Sequence, residues 1–392
     1  MSIQRFASCR FSGSVIAIIF ALSAASIAQS GHFQPNPSAG PTGVLVKSKF
    51  GGQIFGHDID QNGTEGVLSE SKSLSNGNFL ASVETFDQTT GKILKVVTQT
   101  QSQDDFITIG VVGTSTGLIE HEHEVSFLNL QRVFNVINPL SGNAITGKWT
   151  PPLGKSHLLS EASRNQGGTS TAFFAQDNSG SFIPWVFSSN VAANTFGSII
   201  KIPDSNNFGS VVPPMAYNPQ TSQAVLGGGN GCFGCFPILG VANLKTGAFT
   251  EFNGAGFGFV NGIAMDAADN LIMTTTEDDA SIEIYELSTD ATLAVIELPN
   301  SGGLQFFSGA DVEFDPINKL FLVAQPNSSS ASSGSSIYVY DTAGNLQETL
   351  NGFSFSNAFN IVAAHIAINP AKRIGYVDGP SISVNELQQF AY

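Results

Sequence analysis

A unit of about 50 residues repeats along this chain, and it limits the available folds more than any other feature. In one half of the unit an apolar run ends in Asp or Asn, a short polar turn follows, and a second apolar run begins. The Asx side chain can cap such a turn, and a proline directly after it fixes the next backbone angle. Copies of this half-unit are residues 215–226, 262–273, 311–323 and 366–377, with a degenerate copy at 57–60.

The other half of the unit is a β-type run closed by a turn that ends in Gly or Asp. These turns end at Gly91, Gly142, Gly247, Asp290 and Gly344. Successive turns are about 50 residues apart, with one double interval that contains the loosely patterned residues 160–205. No span has the i, i+3, i+4 apolar spacing of an amphipathic helix, so the repeat unit consists of strands and turns.

Four short strands in a unit of this length are typical of a β-propeller blade. We therefore predict an all-β chain folded as a β-propeller of about seven four-stranded blades. Six or eight blades are the alternatives, and an array of β-sandwiches is the alternative architecture. The last unit, from Asn357 to Tyr392, is one strand short. Residues 44–50 have the composition to supply that strand, which would close the ring and protect the sheet edge.

The first residues have the composition of a secretion signal. Two arginines precede an apolar run over residues 15–22, and small residues follow, with Ser26 and Ala28 at the spacing that a signal peptidase recognises. The apolar run is too short to span a bilayer, and no later run is long enough. A cleaved signal peptide is therefore the prediction, with a retained membrane anchor as the alternative.

These features divide the chain into three parts. We predict a signal peptide over residues 1–28, a flexible lead-in rich in Pro, Gly and Ser over 29–43, and a single β-propeller domain over 44–392. Export to the periplasm or the extracellular space follows from the signal peptide.

The net charge of −15 restricts the partners that such a protein would bind. Nucleic acids and anionic membranes are bound through clusters of Lys and Arg, and this chain has an acidic excess instead. We therefore predict no nucleic-acid partner and no transmembrane segment. The expected partner is an unidentified small molecule or protein, and the expected state is a monomer.

Residues 261–266, followed by Asn270 and Leu271, resemble the blade pattern of NHL-type and YVTN-type propellers and, more loosely, that of gluconolactonase-type propellers. In gluconolactonase-like enzymes an Asn before a Gly-Ile pair, together with acidic residues on other blades, holds a divalent metal in the central funnel. Asn261 matches that Asn, whereas the acidic ligands have no matched position in this chain. The resemblance extends over most of the chain at the level of the fold, and many functions share it.

Four polar residues are candidates for a site in the central funnel. Asn261, Asp311 and His365 lie where three repeats enter their first strand, and His57 lies one position later in its own unit. We predict that they converge at one rim of the channel. Mixed His, Asp and Asn side chains suit metal coordination or acid–base chemistry. The alternative is a hydrated channel lined by ordinary polar residues.

Residues 120–124, Glu-His-Glu-His-Glu, form a second candidate site. Alternate residues of a strand share a face, so His121 and His123 would point to one side and the glutamates to the other. Two histidines in this arrangement can bind zinc or copper if a third ligand comes from elsewhere. The segment is predicted to be the second strand of its blade, and the alternative to a site is an exposed strand end or loop.

Two cysteines follow the predicted signal peptide, and both lie in a Gly-rich segment. Cys232 and Cys235 have the spacing of redox motifs, but a β-type run follows them instead of a helix. In an exported protein we expect them to form a local disulfide, with a redox or metal-binding role as the alternative.

No catalytic set emerges from these candidates. The predicted function is therefore that of an exported β-propeller that binds a ligand or a protein. The alternative is a metal-assisted hydrolase or lyase, lactonase-like, with its site in the central funnel. No motif requires a cofactor, and the alternative function would use one divalent metal, calcium or zinc.

Overall fold

The structure, a computed structural model, describes residues 34–392, with gaps, and between residues 100 and 184 it describes the backbone of the strands without their side chains. The gaps are residues 62, 103–104, 113–115, 127–128, 139–142, 150–156, 163–169, 178–183, 191–194, 203–213, 230–236, 255–257, 277–280, 299–309, 329–334, 355, 358–364 and 379–385. Pro35–Tyr392 form one compact unit. The described residues form thirty β-strands, and they contain no helix that is long and apolar enough to span a membrane.

The strands of the first half of the chain form four sheets after an initial strand, β1 (Gly40–Lys47). Sheet I consists of β2 (Gln53–Ile59), β3 (Glu65–Ser73), β4 (Phe79–Asp87) and β5 (Ile93–Ser102). Sheet II consists of β6 (Asp105–Val112), β7 (Thr116–Ser126), β8 (Asn129–Asn138) and β9 (Asn143–Trp149). Sheet III consists of β10 (His157–Ala162), β11 (Ser170–Asp177), β12 (Pro184–Asn190) and β13 (Thr195–Lys201). Sheet IV consists of β14 (Met215–Asn218), β15 (Gln223–Gly229), β16 (Pro237–Asn243) and β17 (Phe249–Asn253).

Three further sheets follow. Sheet V consists of β18 (Val260–Asp266), β19 (Leu271–Thr276), β20 (Ser281–Glu286) and β21 (Ala291–Glu297). Sheet VI consists of β22 (Asp311–Asp315), β23 (Leu320–Gln325), β25 (Ser335–Asp341) and β26 (Leu346–Phe353), and the short strands β24 (Asn327–Ser328) and β27 (Ser356–Asn357) form a parallel pair beside it. Sheet VII consists of β28 (Ile366–Asn369), β29 (Ile374–Val377), β30 (Glu386–Ala391) and β1.

Strand β1 is the fourth strand of sheet VII. It runs antiparallel to β30, and Val46 lies opposite Leu387. Sheet VII corresponds to the last repeat unit, which by its sequence is one strand short. The strand begins at Gly40, within the predicted lead-in over residues 29–43, because a bulge between Pro41 and Leu45 lets the pairing continue to Ala391.

The Asx residues cap the turns between first and second strands, as the repeat predicted. Asp315 Oδ1 accepts the amides of Ile317 and Asn318, at 2.8 and 2.9 Å. Asn218, Asp266 and Asn369 accept amides of their own turns in the same way. Because the side chain supplies the acceptor, each turn closes within four residues and keeps its two strands in register.

The apolar core lies between the faces of successive sheets. Separate buried clusters join sheets III and IV, sheets IV and V, sheets V and VI, and sheets VII and I. In sheet II, β6 lies beside β2, β3 and β4 of sheet I, and β10 of sheet III lies beside β6 and β8. Strand β22 of sheet VI lies beside β28 of sheet VII. Each sheet therefore contacts the next one along the chain, and sheet VII contacts sheet I.

Candidate functional site

Bulges interrupt the first strands of four sheets, and those on β2 and β18 lie near the end where the strand begins, which we call the entry end. In each of β2, β6, β10 and β18 one residue is inserted between the residues that pair with the second strand. These inserted residues are Phe55, Ile109, Ser160 and Asn261. A bulge turns a side chain out of the regular alternation, and bulges are frequent beside functional sites. Phe55 is 40% exposed, unusual for a large aromatic side chain, and Asn261 is partly exposed.

The four predicted funnel residues occupy three different levels of their strands. Counted back from the Asx residue that ends each first strand, His57 is three residues away, Asp311 and His365 are four, and Asn261 is five. Neighbouring positions of a strand face opposite sides of the sheet. The structure nevertheless links His57, Asp311 and His365 through hydrogen bonds and one electrostatic contact at the junctions between sheets VI, VII and I. Asn261 lies beside them on sheet V.

His57 lies between sheets I and VII. Its side chain is completely buried. Nε2 is 3.3 Å from the carbonyl oxygen of Tyr376, and Nδ1 is 3.5 Å from Asp378 Oδ2. The second contact is electrostatic rather than a well-formed hydrogen bond, since 3.5 Å is at the outer limit for one. A side chain that solvent does not reach holds two sheets together and offers no open position to a ligand.

Asp378, which was not among the predicted site residues, contacts both His57 and His365. Its Oδ1 accepts the amide of His365 at 3.1 Å, and its own amide donates to the carbonyl oxygen of His365 at 3.1 Å. Burial alone would raise the pKa of the Asp378 carboxyl, but nearby His57 and His365 outweigh that effect and bring the pKa below its ordinary value. The repeat pairs Ile366 with Val377, so the next residues, His365 and Asp378, come to lie opposite each other. This register was the signal that could have identified Asp378.

Asp311 links sheets VI and VII. It is 8% exposed, its Oδ1 accepts the amide of Val312 at 2.9 Å, and its Oδ2 accepts the amide of Ile366 at 3.0 Å. Both carboxylate oxygens are therefore engaged by backbone donors, one of them in the neighbouring sheet. A metal ion would have to compete with these bonds.

Asn261 stands beside the junction between sheets V and VI. Its Nδ2 is buried and has no hydrogen-bond partner among the described residues. The next residue must be small, because a Cβ on Gly262 would lie 2.9 Å from the Ala310 carbonyl oxygen and 3.0 Å from Asp311 Cα. Thr275 Oγ1 donates to the same Ala310 oxygen at 2.6 Å. Sheets V and VI therefore approach closely at Gly262, and Asn261, the preceding residue, lies at the entry end of this junction.

A buried polar network joins sheets I and VII at the opposite end of the strands. The hydroxyl of Tyr376 and Nε2 of Gln389 both donate to the carbonyl oxygen of Gln88, at 2.8 and 2.6 Å. Asn369 Nδ2 donates to Gln88 Oε1 at 2.8 Å, and the ring of Tyr376 meets Phe86 edge-on at 5.1 Å. Both ends of the junction between the first and the last sheet are therefore bonded.

The other predicted sites lie outside what the structure describes in full. The backbone of His121 and His123 belongs to β7, the second strand of sheet II as predicted, but their side chains are not among the described ones. Cys232 and Cys235 fall within residues 230–236, outside the described residues. Among the side chains that are described, no three His, Cys, Asp or Glu form a group that could hold a metal ion.

Comparisons with known proteins identify the fold. No family model matches the chain, and no curated protein matches it in sequence. Raptor from Chaetomium thermophilum is similar in structure, with a TM-score of 0.58 and 12% identity over 90% of this chain, which spans only 29% of Raptor. Sqt1 from Saccharomyces cerevisiae has a TM-score of 0.52 and 12% identity over 91% of this chain and 99% of Sqt1.

Both neighbours are WD40-like β-propeller proteins, so the similarity supports the general fold and does not single out the NHL or YVTN pattern. At 12% identity, a shared fold carries no information about function. The chain therefore has a β-propeller fold built from four-stranded antiparallel sheets.

Proposed function

We propose that this chain works outside the cytoplasm as a seven-bladed propeller that binds a small molecule or a protein at its entry end. Sheets I to VII are the seven blades, and β1 closes the ring by completing sheet VII. Export rests on the composition of residues 1–28, and a disulfide between Cys232 and Cys235 would fit that compartment. The proposed state is a monomer.

The bulges carry this proposal. Regular first strands would bury alternate side chains against the neighbouring sheets, whereas the bulges on β2 and β18 leave Phe55 and Asn261 partly exposed at the same end. His365 is also partly exposed there. An apolar ring, an amide and an imidazole supply the contacts from which most binding sites are built. In contrast, His57 and Asp311 are engaged in bonds between sheets.

The proposal predicts that ligand binding depends on the bulged residues. The experiment measures shifts in the melting temperature of the purified mature chain across a library of small metabolites and short peptides. For each compound that stabilises the wild type, Phe55→Ser and Asn261→Ala should each reduce the affinity by about tenfold, as for the loss of one good contact. Leu293→Ser is the matched control, because Leu293 is 54% exposed on the outermost strand of sheet V.

Two outcomes would contradict the proposal. In the first, the stabilising compounds bind Phe55→Ser and Asn261→Ala as tightly as they bind the wild type. In the second, one equivalent of calcium or zinc binds the mature chain and the binding is lost in Asp311→Ala and His365→Ala. The second result would favour the alternative function, a metal-assisted hydrolase or lyase, which the resemblance of Asn261 to a metal-binding Asn motivates.

A further inference from the structure

Two buried glutamates hold the connection that leads from β1 into sheet I. Glu70 on β3 and Glu84 on β4 are both fully buried. Glu70 accepts the amides of Phe50 and Gly52, at 2.8 and 2.7 Å, and Glu84 Oε2 accepts the amide of Lys49 at 2.9 Å. The connection lies between the strand pairing that ends at Lys47 and the pairing that begins at Gln53. The two carboxyl groups therefore accept the amides that have no strand partner there.

The geometry at Ser82 favours one proton between the two carboxyl groups. Ser82 Oγ lies 3.2 Å from Glu70 Oε1 and 3.2 Å from Glu84 Oε1. A hydroxyl has a single proton and can donate to only one carboxylate. The other contact is completed only if that carboxyl group carries a proton itself. Glu84 accepts only one amide, whereas both oxygens of Glu70 accept one, so Glu84 is the group with an oxygen free to carry the proton.

The protonation of Glu84 agrees with this arrangement. Burial raises the pKa of Glu84 to about 8, and its hydrogen bond with Glu70 and the charge of Glu70 act in the same direction. The amide of Lys49 and the hydroxyl of Ser82 partly oppose the rise. Glu84 is therefore neutral at pH 7 and gains its charge in mildly alkaline solution.

Among the described residues, the charged groups near the pair form their contacts elsewhere. Lys49 and Lys72 lie at the exposed border, and Lys72 Nζ donates to the carbonyl oxygen of Phe50 at 3.0 Å. From sheet VII, Glu386 faces Lys47 at 3.7 Å. On β2, His57 contacts Asp378 instead of the glutamates. Within the described residues neither carboxylate of the pair has an ion-pair partner.

We propose that Glu70 and Glu84 form a proton-operated latch that holds the connection between β1 and β2 against sheet I. The structural basis is that all three amides held by the pair belong to the connection between β1 and β2. Gly52 brings this connection against β3 so closely that a Cβ there would lie 2.6 Å from the Ser71 carbonyl oxygen. Loss of the single proton places two negative charges in one buried site, and the connection is then released.

The raised pKa of Glu84 determines how the stability of the folded state changes with pH. The unfolded chain loses the Glu84 proton near the ordinary value of 4.5, and the folded chain loses it near 8. Between these values the folded state binds one more proton, so its stability falls as the pH rises and levels off above about 8. The latch therefore weakens on the alkaline side, and the connection between β1 and β2 should open before the rest of the sheets.

Trypsin cleavage after Lys47 and Lys49 reports the opening of this connection. In the mature chain, the cleavage rate at these two sites should rise about tenfold between pH 7 and pH 9, as expected for a group that titrates near pH 8. In Glu84→Gln the amide keeps both hydrogen bonds and cannot ionise, so the rise should be less than about twofold. Rates of the two proteins are compared at each pH, which removes the pH dependence of trypsin itself.

Glu65→Gln is the matched control. Glu65 lies on β3 too, and burial raises its pKa, but it is at the far end of the strand from the connection. This variant should keep the wild-type pH profile. Identical pH profiles for the wild type and Glu84→Gln would overturn the latch.

A second measurement needs only the wild type and covers the case in which Glu84→Gln does not fold. The infrared carbonyl band of a protonated carboxylic acid should lose the intensity of one group with a midpoint near pH 8, and the rise in cleavage should share that midpoint. The latch would also be overturned if the midpoint of the rise in cleavage differed from the midpoint of the infrared band by more than about one pH unit.

Discussion

Replacing Val46 by Asp should lower the free energy of unfolding by about 4 kcal/mol or prevent folding altogether, since it buries a charge without a partner. Val46 is fully buried on β1, opposite the equally buried Leu387. It belongs to the apolar cluster that joins sheets VII and I. Urea unfolding of the purified protein, followed by intrinsic fluorescence, measures the effect.

The neighbouring substitution Leu45→Asp is the control for this prediction. Leu45 is on the same strand, points to the opposite face and is 38% exposed. Its replacement should change the free energy of unfolding by no more than about 0.5 kcal/mol. If the two variants were equally stable, β1 would not form part of the folded core, and the proposed closure of the ring would lose its support.

Replacing Asp378 by Asn should destabilise the protein by about 3 kcal/mol, because it removes one partner of a buried charged contact. Asp378 holds His365 through one bond to its carboxylate and one bond between the two backbones, and it faces His57 across the junction of sheets VII and I. Asp290→Asn is the matched control. Asp290 is exposed in a turn, where its φ of 52° suits Asn equally well, so this change should be almost neutral.

The effect of Asp378 should depend on pH in a defined direction. The pKa of the folded carboxyl is below its ordinary value of 3.8. Its stabilising contribution is therefore complete above that value and is lost as the pH falls through the lower folded pKa. The difference in stability between the wild type and Asp378→Asn should shrink in this acidic range. A constant difference from pH 6 to pH 2 would show that the charge of Asp378 has no role.

The repeat could predict the fold because its cues are local. An Asx residue caps a turn through atoms only two or three positions away, so Asp315 and Asn369 identify their turns without knowledge of the remaining chain. The strand that completes sheet VII was also predictable, because the last unit lacks one strand and residues 44–50 have the composition to provide it.

The candidate site was harder to predict because it depends on register. The sequence placed Asn261, Asp311 and His365 at one level, but a bulge at Asn261 shifts it by one residue relative to the other two. Periodicity alone does not reveal a bulge, since one extra residue looks like ordinary variation in length. Glu84 was missed for a similar reason, because only the pairing of Glu70 with Ser82 brings the two carboxyl groups together.

Disulfide cross-linking tests most directly whether β1 closes the ring. Cysteines replacing Val46 and Leu387 stand opposite each other in the antiparallel pair, whereas Gln388 is one residue out of register. Neighbouring positions of a strand face opposite sides, so register decides the outcome. Mass spectrometry of the oxidised protein should find the Val46→Cys/Leu387→Cys link in most molecules and little of the Val46→Cys/Gln388→Cys link. Absence of the first link, or equal yields of both, would contradict a ring closed by β1.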